Sequence, residues 1–266
     1  MADRMPPLTL HGVHVRLEGL TASFRQPLLI SGTQASLPVP AYTNVLGMIS
    51  ACAGRVVSPH EVRVGFEYRY RGQAMDLQRT RRWTLERGRL REHRKGPGLL
   101  RRQFHVAPSL DLYVVPAAMS AVFESPVATP RFGRSEDVAW VVFVRPVSLV
   151  PVQRGAIGAT LVARDAVQSH GLPLTLAEWF EAGPFGQPRR VGAVGRFISL
   201  PPTADGMRFD VQGNDLFHPS DADLSAQERA EDLHHVQGND LFHPSNAKGS
   251  DDAVYLHAWS QAAGGV

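Results

Sequence analysis

Two stretches of apolar alternation bracket one apolar stripe of helical period, and that order restricts the possible folds of this chain more than any other feature. Residues 8–17 read LTLHGVHVRL, with apolar side chains alternating with His14 and Arg16, as in a half-buried strand. Residues 62–70 read VRVGFEYRY and set Val62, Val64, Phe66, Tyr68 and Tyr70 on one face of a second strand. Between them Val45, Leu46, Met48, Ile49, Cys52 and Ala53 recur with helical spacing. Thr43 is the expected N-cap, Pro38 and Pro40 bar an earlier start, and Gly54 suits a left-handed stop. Strand, helix and strand within about 60 residues make the opening half of a ferredoxin-like unit.

The periodicity then stops and charge takes over. From Arg69 to His105 there are twelve basic residues against three acids, a surplus of nine positive charges, whereas the whole chain of 266 residues carries only +3. From Asp210 to Asp252 the balance reverses, with ten acids against Arg229 and Lys248. A basic segment this dense predicts a polyanionic partner, most simply nucleic acid. Gly88, Gly96, Pro97 and Gly98 rule out one long helix across 71–103 and favour an extended basic hairpin or arm.

Strand character returns at 104–116, followed by a short helix at 117–123 that Pro126 ends and a polar loop at 129–136. The run 138–150, VAWVVFVRPVSLV, is almost continuously apolar and is expected to be buried on both faces. Further on, 159–163 and 191–200 read as strands and 174–182 (LTLAEWFEA) as a short helix. The decamer VQGNDLFHPS occurs at 211–220 and again at 236–245, a local duplication too short for a solenoid. One copy is expected to hold a place in the fold and the other to form an acidic surface insertion. A short capped helix at 225–233 lies between the copies, and a last strand is expected at 253–259. The expected division is residues 1–150 with a basic insertion at 71–103, then a smaller β-rich part at 151–266 containing the acidic 211–245.

No phosphate-binding Gly-rich loop, nucleophile elbow or zinc-protease motif occurs. The lone Cys52 lies on the helix's apolar stripe and excludes a disulfide framework within one chain. His218, His234, His235, His243 and His257 invite a metal reading, but the flanking pattern of a metal site is missing, and His218 and His243 come with the duplication as His-Pro turns. No metal and no cofactor are expected. No segment approaches the roughly 18 apolar residues of a membrane span, and the start, MADRMPPLTL, lacks a signal-peptide core; a cytoplasmic setting without membrane contact is expected. Phosphate contacts are expected from Arg79, Arg81, Arg82, Arg101 and Arg102. Phe24, Tyr42, Tyr68, Tyr70, Trp83 and Phe104 offer rings for base stacking, though Tyr68 and Tyr70 alternate with core positions and read as packing. Ser23-Phe24-Arg25 combines a hydroxyl, a ring and a guanidinium in one short loop. An alternative is metal-free RNA cleavage using Tyr70, His93, Lys95 or His105. A third reading is a protein-interaction module that docks a basic partner through its acidic tail.

The residues Ser23, Phe24, Arg25, Pro27, Pro38, Pro40, Tyr42, Thr43, Gly47, Ala51 and Gly54 resemble the start of the Cas-five family. These are RAMP-type subunits of type I CRISPR interference complexes (Cascade). Phe132-Gly133-Arg134-Ser135-Glu136-Asp137 is similar to a second element of that family, and the resemblance covers roughly residues 8–150. It implies an α+β fold: a ferredoxin-like (RRM-like) RAMP domain with a basic β-hairpin thumb at 71–103, and a smaller β-rich C-terminal part. It also implies a non-catalytic subunit that grips the 5′ handle of the guide RNA (crRNA). That subunit caps the backbone filament beside the large subunit and touches target DNA only indirectly. The RNA-contacting set then comprises Ser23, Phe24, Arg25, Tyr42, Thr43, Arg79, Arg81, Arg82, Arg101, Arg102, Arg131 and Arg134.

Overall fold

β1 (Leu10–Gly19) alternates as its sequence dictates, with Val13, Val15 and Leu17 buried and His14, Arg16 and Glu18 half-buried between them. The computed structural model describes residues 9–27, 32–181, 183, 187, 189–203, 206–221 and 252–260. After β1 come the short strands β2 (Thr21–Ala22) and β3 (Thr33–Gln34), then α1 (Tyr42–Ala53). α1 buries Tyr42, Val45, Leu46, Met48, Ile49 and Cys52, the predicted stripe. Its N-terminus is not capped by Thr43, which sits inside the first turn; the Asn44 Oδ1 accepts the Ala41 N–H at 3.2 Å instead. At the other end Gly54 adopts φ 66°, and the Gly54 and Arg55 N–H groups close onto the Ala51 and Ser50 carbonyls, a left-handed helix stop.

β4 (Arg63–Arg69) leads into β5 (Gly72–Thr80), β6 (Trp83–Glu86), β7 (Arg89–Glu92) and β8 (Gly98–Val106). Then follow β9 (Ser109–Val115), α2 (Ser120–Glu124) and β10 (Ala139–Ile157). Within a seven-stranded sheet, β10, β1, β9 and β4 are successive neighbours in the order β10-β1-β9-β4, each pair antiparallel. α1 connects β1 to β4 and α2 connects β9 to β10. β10 extends 19 residues, pairing with β1 along its first half and with β15 (Phe209–Asp221) along its second. It is not buried on both faces, because Trp140 and Val142 are exposed; an antiparallel sheet can leave one face open.

The C-terminal strands are β11 (Thr160–Ala163), β12 (Val167–Gln168), β13 (Leu172–Phe180), β14 (Val191–Leu200), β15 and β16 (Val254–Tyr255). β13 replaces the helix predicted at 174–182. A short apolar run fits either period, and here β14 takes its backbone hydrogen bonds, with Leu176, Glu178 and Trp179 buried. β15 contains the first decamer. The second decamer and the helix expected at 225–233 lie outside the described residues. The last strand is shorter than expected at 254–255, though Asp252 and His257 form isolated bridges on either side of it. The structure is mostly β-sheet, and one buried apolar cluster runs from Val13 on β1 to Tyr255 on β16.

Candidate nucleic-acid interface

The basic segment folds as a hairpin carried on a hairpin. β5 pairs with β8 from Gly72↔Val106 to Thr80↔Gly98, and β6 with β7 at the far end. Arg87 (φ 50°) and Gly88 (φ 75°) make the two-residue turn of the tip, the backbone twist that a tight antiparallel hairpin requires. Strand alternation sends Met75, Leu77, Arg79, Leu99 and Arg101 to one exposed face, while Phe104, Arg102, Leu100, Asp76 and Gln78 face the other way. Trp83, Leu85 and Leu90 are exposed at the tip.

The hairpin gathers the largest cluster of cations without a carboxylate partner among the described residues. Arg16, Arg55, Arg63, Arg69, Arg134, Arg196 and Arg208 each have a carboxylate partner. Among the described residues Arg79, Arg81, Arg82, Arg87, Arg89, Arg91, Arg94, Lys95 and Arg101 form no ion pair. Unneutralised positive charge projecting into solvent is suited to releasing counterions from a phosphate backbone.

The loop after β1 and the Gly133 loop meet at the hairpin's base. β2 pairs antiparallel and β3 parallel with β8, setting Thr33 opposite Arg101 and Gln34 opposite Arg102. The Ser23 hydroxyl donates to the Gln103 carbonyl at 3.1 Å, and the Ser23 N–H to the Phe132 carbonyl at 2.9 Å. Gly133 stands at φ 113° with its Cα so close to this strand that a Cβ would lie 2.0 Å from the Ser23 carbonyl oxygen. Asp137, wholly buried, accepts the Thr21 hydroxyl at 2.6 Å and a two-pronged contact from Arg134, Nε and Nη2 both at 2.9 Å. The hydrogen bond to Asp137 pushes Arg134 still further above its ordinary value. The guanidinium also lies 5.8 Å over the Phe104 ring.

The twelve expected RNA contacts therefore separate into three groups. Arg25, Arg79, Arg81, Arg82, Arg101 and Arg131 are exposed, and Arg102 and Thr43 are half-buried. Arg134 is engaged by Asp137 and serves the loop. Ser23, Phe24 and Tyr42 are buried. The Phe24 ring packs edge-on to Tyr68, His105 and Phe132, with centroids 5.4, 6.1 and 6.5 Å away. Tyr42 stacks on His257 at 4.1 Å and donates its hydroxyl to the Leu161 carbonyl. Neither ring presents a face to a base, so Phe24 and Tyr42 are corrected from stacking residues to core residues.

Of the groups considered for cleavage chemistry, Tyr70 and His105 come together: their rings stack at 4.0 Å. His105 is fully buried, its Nδ1 2.8 Å from the Tyr68 hydroxyl, and burial lowers it to about 4. His93 and Lys95 lie beyond β7, toward the hairpin's outer end. Among the described residues no group of three His, Cys, Asp or Glu side chains could hold a metal ion. No helix among them is long and apolar enough to cross a membrane.

No family model matches the sequence, and no curated protein matches it. Solved structures do align with the fold. A chain of a CRISPR RNA-guided surveillance complex matches over 75% of this chain and 91% of its own, at 16% identity and a TM-score of 0.50. A chain of the Type III-B Cmr-beta complex bound to cognate target RNA covers 86% of this chain and 91% of its own, at 10% identity and a TM-score of 0.48. A CRISPR protein from Archaeoglobus fulgidus covers 79% of this chain and 96% of its own, at 13% identity and a TM-score of 0.46. With the first of these, this chain shares the fold of a CRISPR surveillance-complex subunit, as its resemblance to the Cas-five family implied.

Proposed function

We propose that this protein is a non-catalytic, RNA-binding subunit of a Cascade-type CRISPR effector complex, gripping the 5′ handle of the guide RNA with the β5–β8 hairpin. The carrying observation is the row of unpaired, exposed arginines on that hairpin, mounted on a fold shared with a CRISPR surveillance-complex chain. The order β10-β1-β9-β4 with two helical connections reads as a ferredoxin-like RAMP unit, and the hairpin as its thumb. Its partners are then the guide RNA, the filament subunit and the large subunit, with target DNA engaged through the guide, in the cytoplasm. A role without cleavage is supported by the burial of His105 and by the placing of His93 and Lys95 beyond β7, away from it.

The experiment is binding of handle RNA, within a reconstituted complex, by wild type and Arg81→Ala/Arg82→Ala at several salt concentrations. Losing two single-strand phosphate contacts lowers the slope of log affinity against log salt by about 1.4. An unchanged slope and affinity sink the thumb assignment. Incubating the pure protein with repeat RNA in EDTA tests the catalytic alternative; a discrete cleavage product would replace the non-catalytic reading.

A further inference from the structure

A second set of unpaired cations lies on the C-terminal strands, in no contact with the hairpin's arginines. A cleft of about 1190 Å³ opens between the β10–β15 ribbon and the turns on either side of β12. Arg154 reaches it from β10, opposite Gln212 in the ladder, and Arg164 from the turn after β11. His170 joins them from the segment between β12 and β13. All three side chains are exposed, and none has a side-chain partner among the described residues. Asp210 is the one acid of the lining. The Ser169 hydroxyl is enclosed at the same place without a hydrogen-bond partner.

We propose that this cleft is a second nucleic-acid site, holding the phosphodiester backbone of a single strand. Two guanidiniums from separate elements, neither with a carboxylate partner among the described residues, supply charge for phosphates. The enclosed Ser169 hydroxyl supplies a neutral donor. The floor is apolar, with Val167 and Val211 buried and Ile198 half-buried, a surface against which sugars and bases can lie. The Gln168 and Gln212 amides stand at the rim and can meet base edges without demanding one sequence. At about 1190 Å³ the cleft is larger than the roughly 300–1,000 Å³ of small-molecule sites, with room for more than one nucleotide. RNA and DNA single strands share this backbone, and the test separates them.

Binding of short oligo-U and oligo-dT, and of inorganic phosphate and a mononucleotide, to the full chain is measured against salt for wild type, Arg154→Ala/Arg164→Ala, Arg81→Ala/Arg82→Ala and the four-site variant. Because Arg154 and Arg164 are exposed, circular dichroism is expected to be unchanged by their loss. The cleft variant should lower the salt slope by about 1.4, in the wild-type and the hairpin-variant backgrounds alike, and Arg154→Lys/Arg164→Lys should restore it. Loss with one of the two strands alone assigns the site to that strand. An unchanged slope with both strands overturns the proposal. So does an effect that disappears in the hairpin-variant background, or one confined to inorganic phosphate and mononucleotide. Failure of the hairpin variant alone would count against the thumb and leave the cleft standing.

Discussion

Gly133 and Asp137 show how single residues hold the base of the basic hairpin. At φ 113° and with the Ser23 carbonyl in the place of a Cβ, Gly133→Ala should destabilise the fold by about 1–3 kcal/mol, read from denaturant unfolding. Asp137→Asn leaves Arg134 only its half-exposed partners Glu136 and Asp76 and removes a charge from the buried acceptor of Thr21 and Arg134; it should cost about 1–3 kcal/mol. His105 gives a pH signature. Burial lowers it from 6.5 to about 4, so on acidification the unfolded chain takes up the proton first. Its contribution is complete above about 6.5 and is lost as pH falls toward 4. Unfolding free energy should therefore decline across that window, and His105→Phe, which keeps a ring against Tyr70, should flatten the decline.

At the level of elements, the hairpin and the core divide the labour. The tip strands β6 and β7 expose Trp83, Leu85 and Leu90 and pair only with each other. Replacing residues 83–92 by a two-glycine turn should change the unfolding free energy by no more than about 0.5 kcal/mol, while weakening RNA binding through the loss of Arg87, Arg89 and Arg91. Destabilisation well beyond that would show the tip to be part of the core. β1, α1, β4 and β14 were legible in the sequence because each has one clear period and clean end signals. β13 was not: LTLAEWFEA fits two periods over nine residues, and its choice depends on β14 lying alongside. The both-faces burial expected for β10 failed for a related reason, since apolar content reveals affinity for a core but not which neighbours cover a strand.

For the whole molecule, the closing segment decides the fit between the early and late strands. His257 bridges to Val64, its Nε2 lies 3.2 Å from Glu178 of β13, and its ring stacks on Tyr42 of α1. The Trp259 indole donates to the Val62 carbonyl. Burial alone would push Glu178 up, but hydrogen bonds from His257 and Ser260 outweigh it and hold the carboxylate below its ordinary value. A depressed carboxylate stabilises fully above the ordinary range near 4.3 and loses that contribution as pH falls through its folded value. Glu178→Gln should therefore unfold about 1–3 kcal/mol more easily at pH 7, with the gap narrowing below pH 4; a gap independent of pH would remove the ionic part of the account.

The sequence by itself determined the order of strand, helix and strand, the position of the basic hairpin and the concentration of charge in it, because period and net charge are local properties. Gly133, too, was legible as part of a motif. Only the tertiary structure decided what Ser23, Phe24, Tyr42 and Arg134 do. A ring or guanidinium has the same chemistry in a core as on a surface, and what distinguishes the two is what fills the space around it, which for Phe24 and Tyr42 lies up to about two hundred positions away and for Arg134 is the buried Asp137 three residues on. Phe24 is enclosed by Tyr68, His105 and Phe132, Tyr42 by His257, and Arg134 is engaged by Asp137. The contacts proposed for the guide RNA thus rest on the arginines that have no carboxylate partner among the described residues.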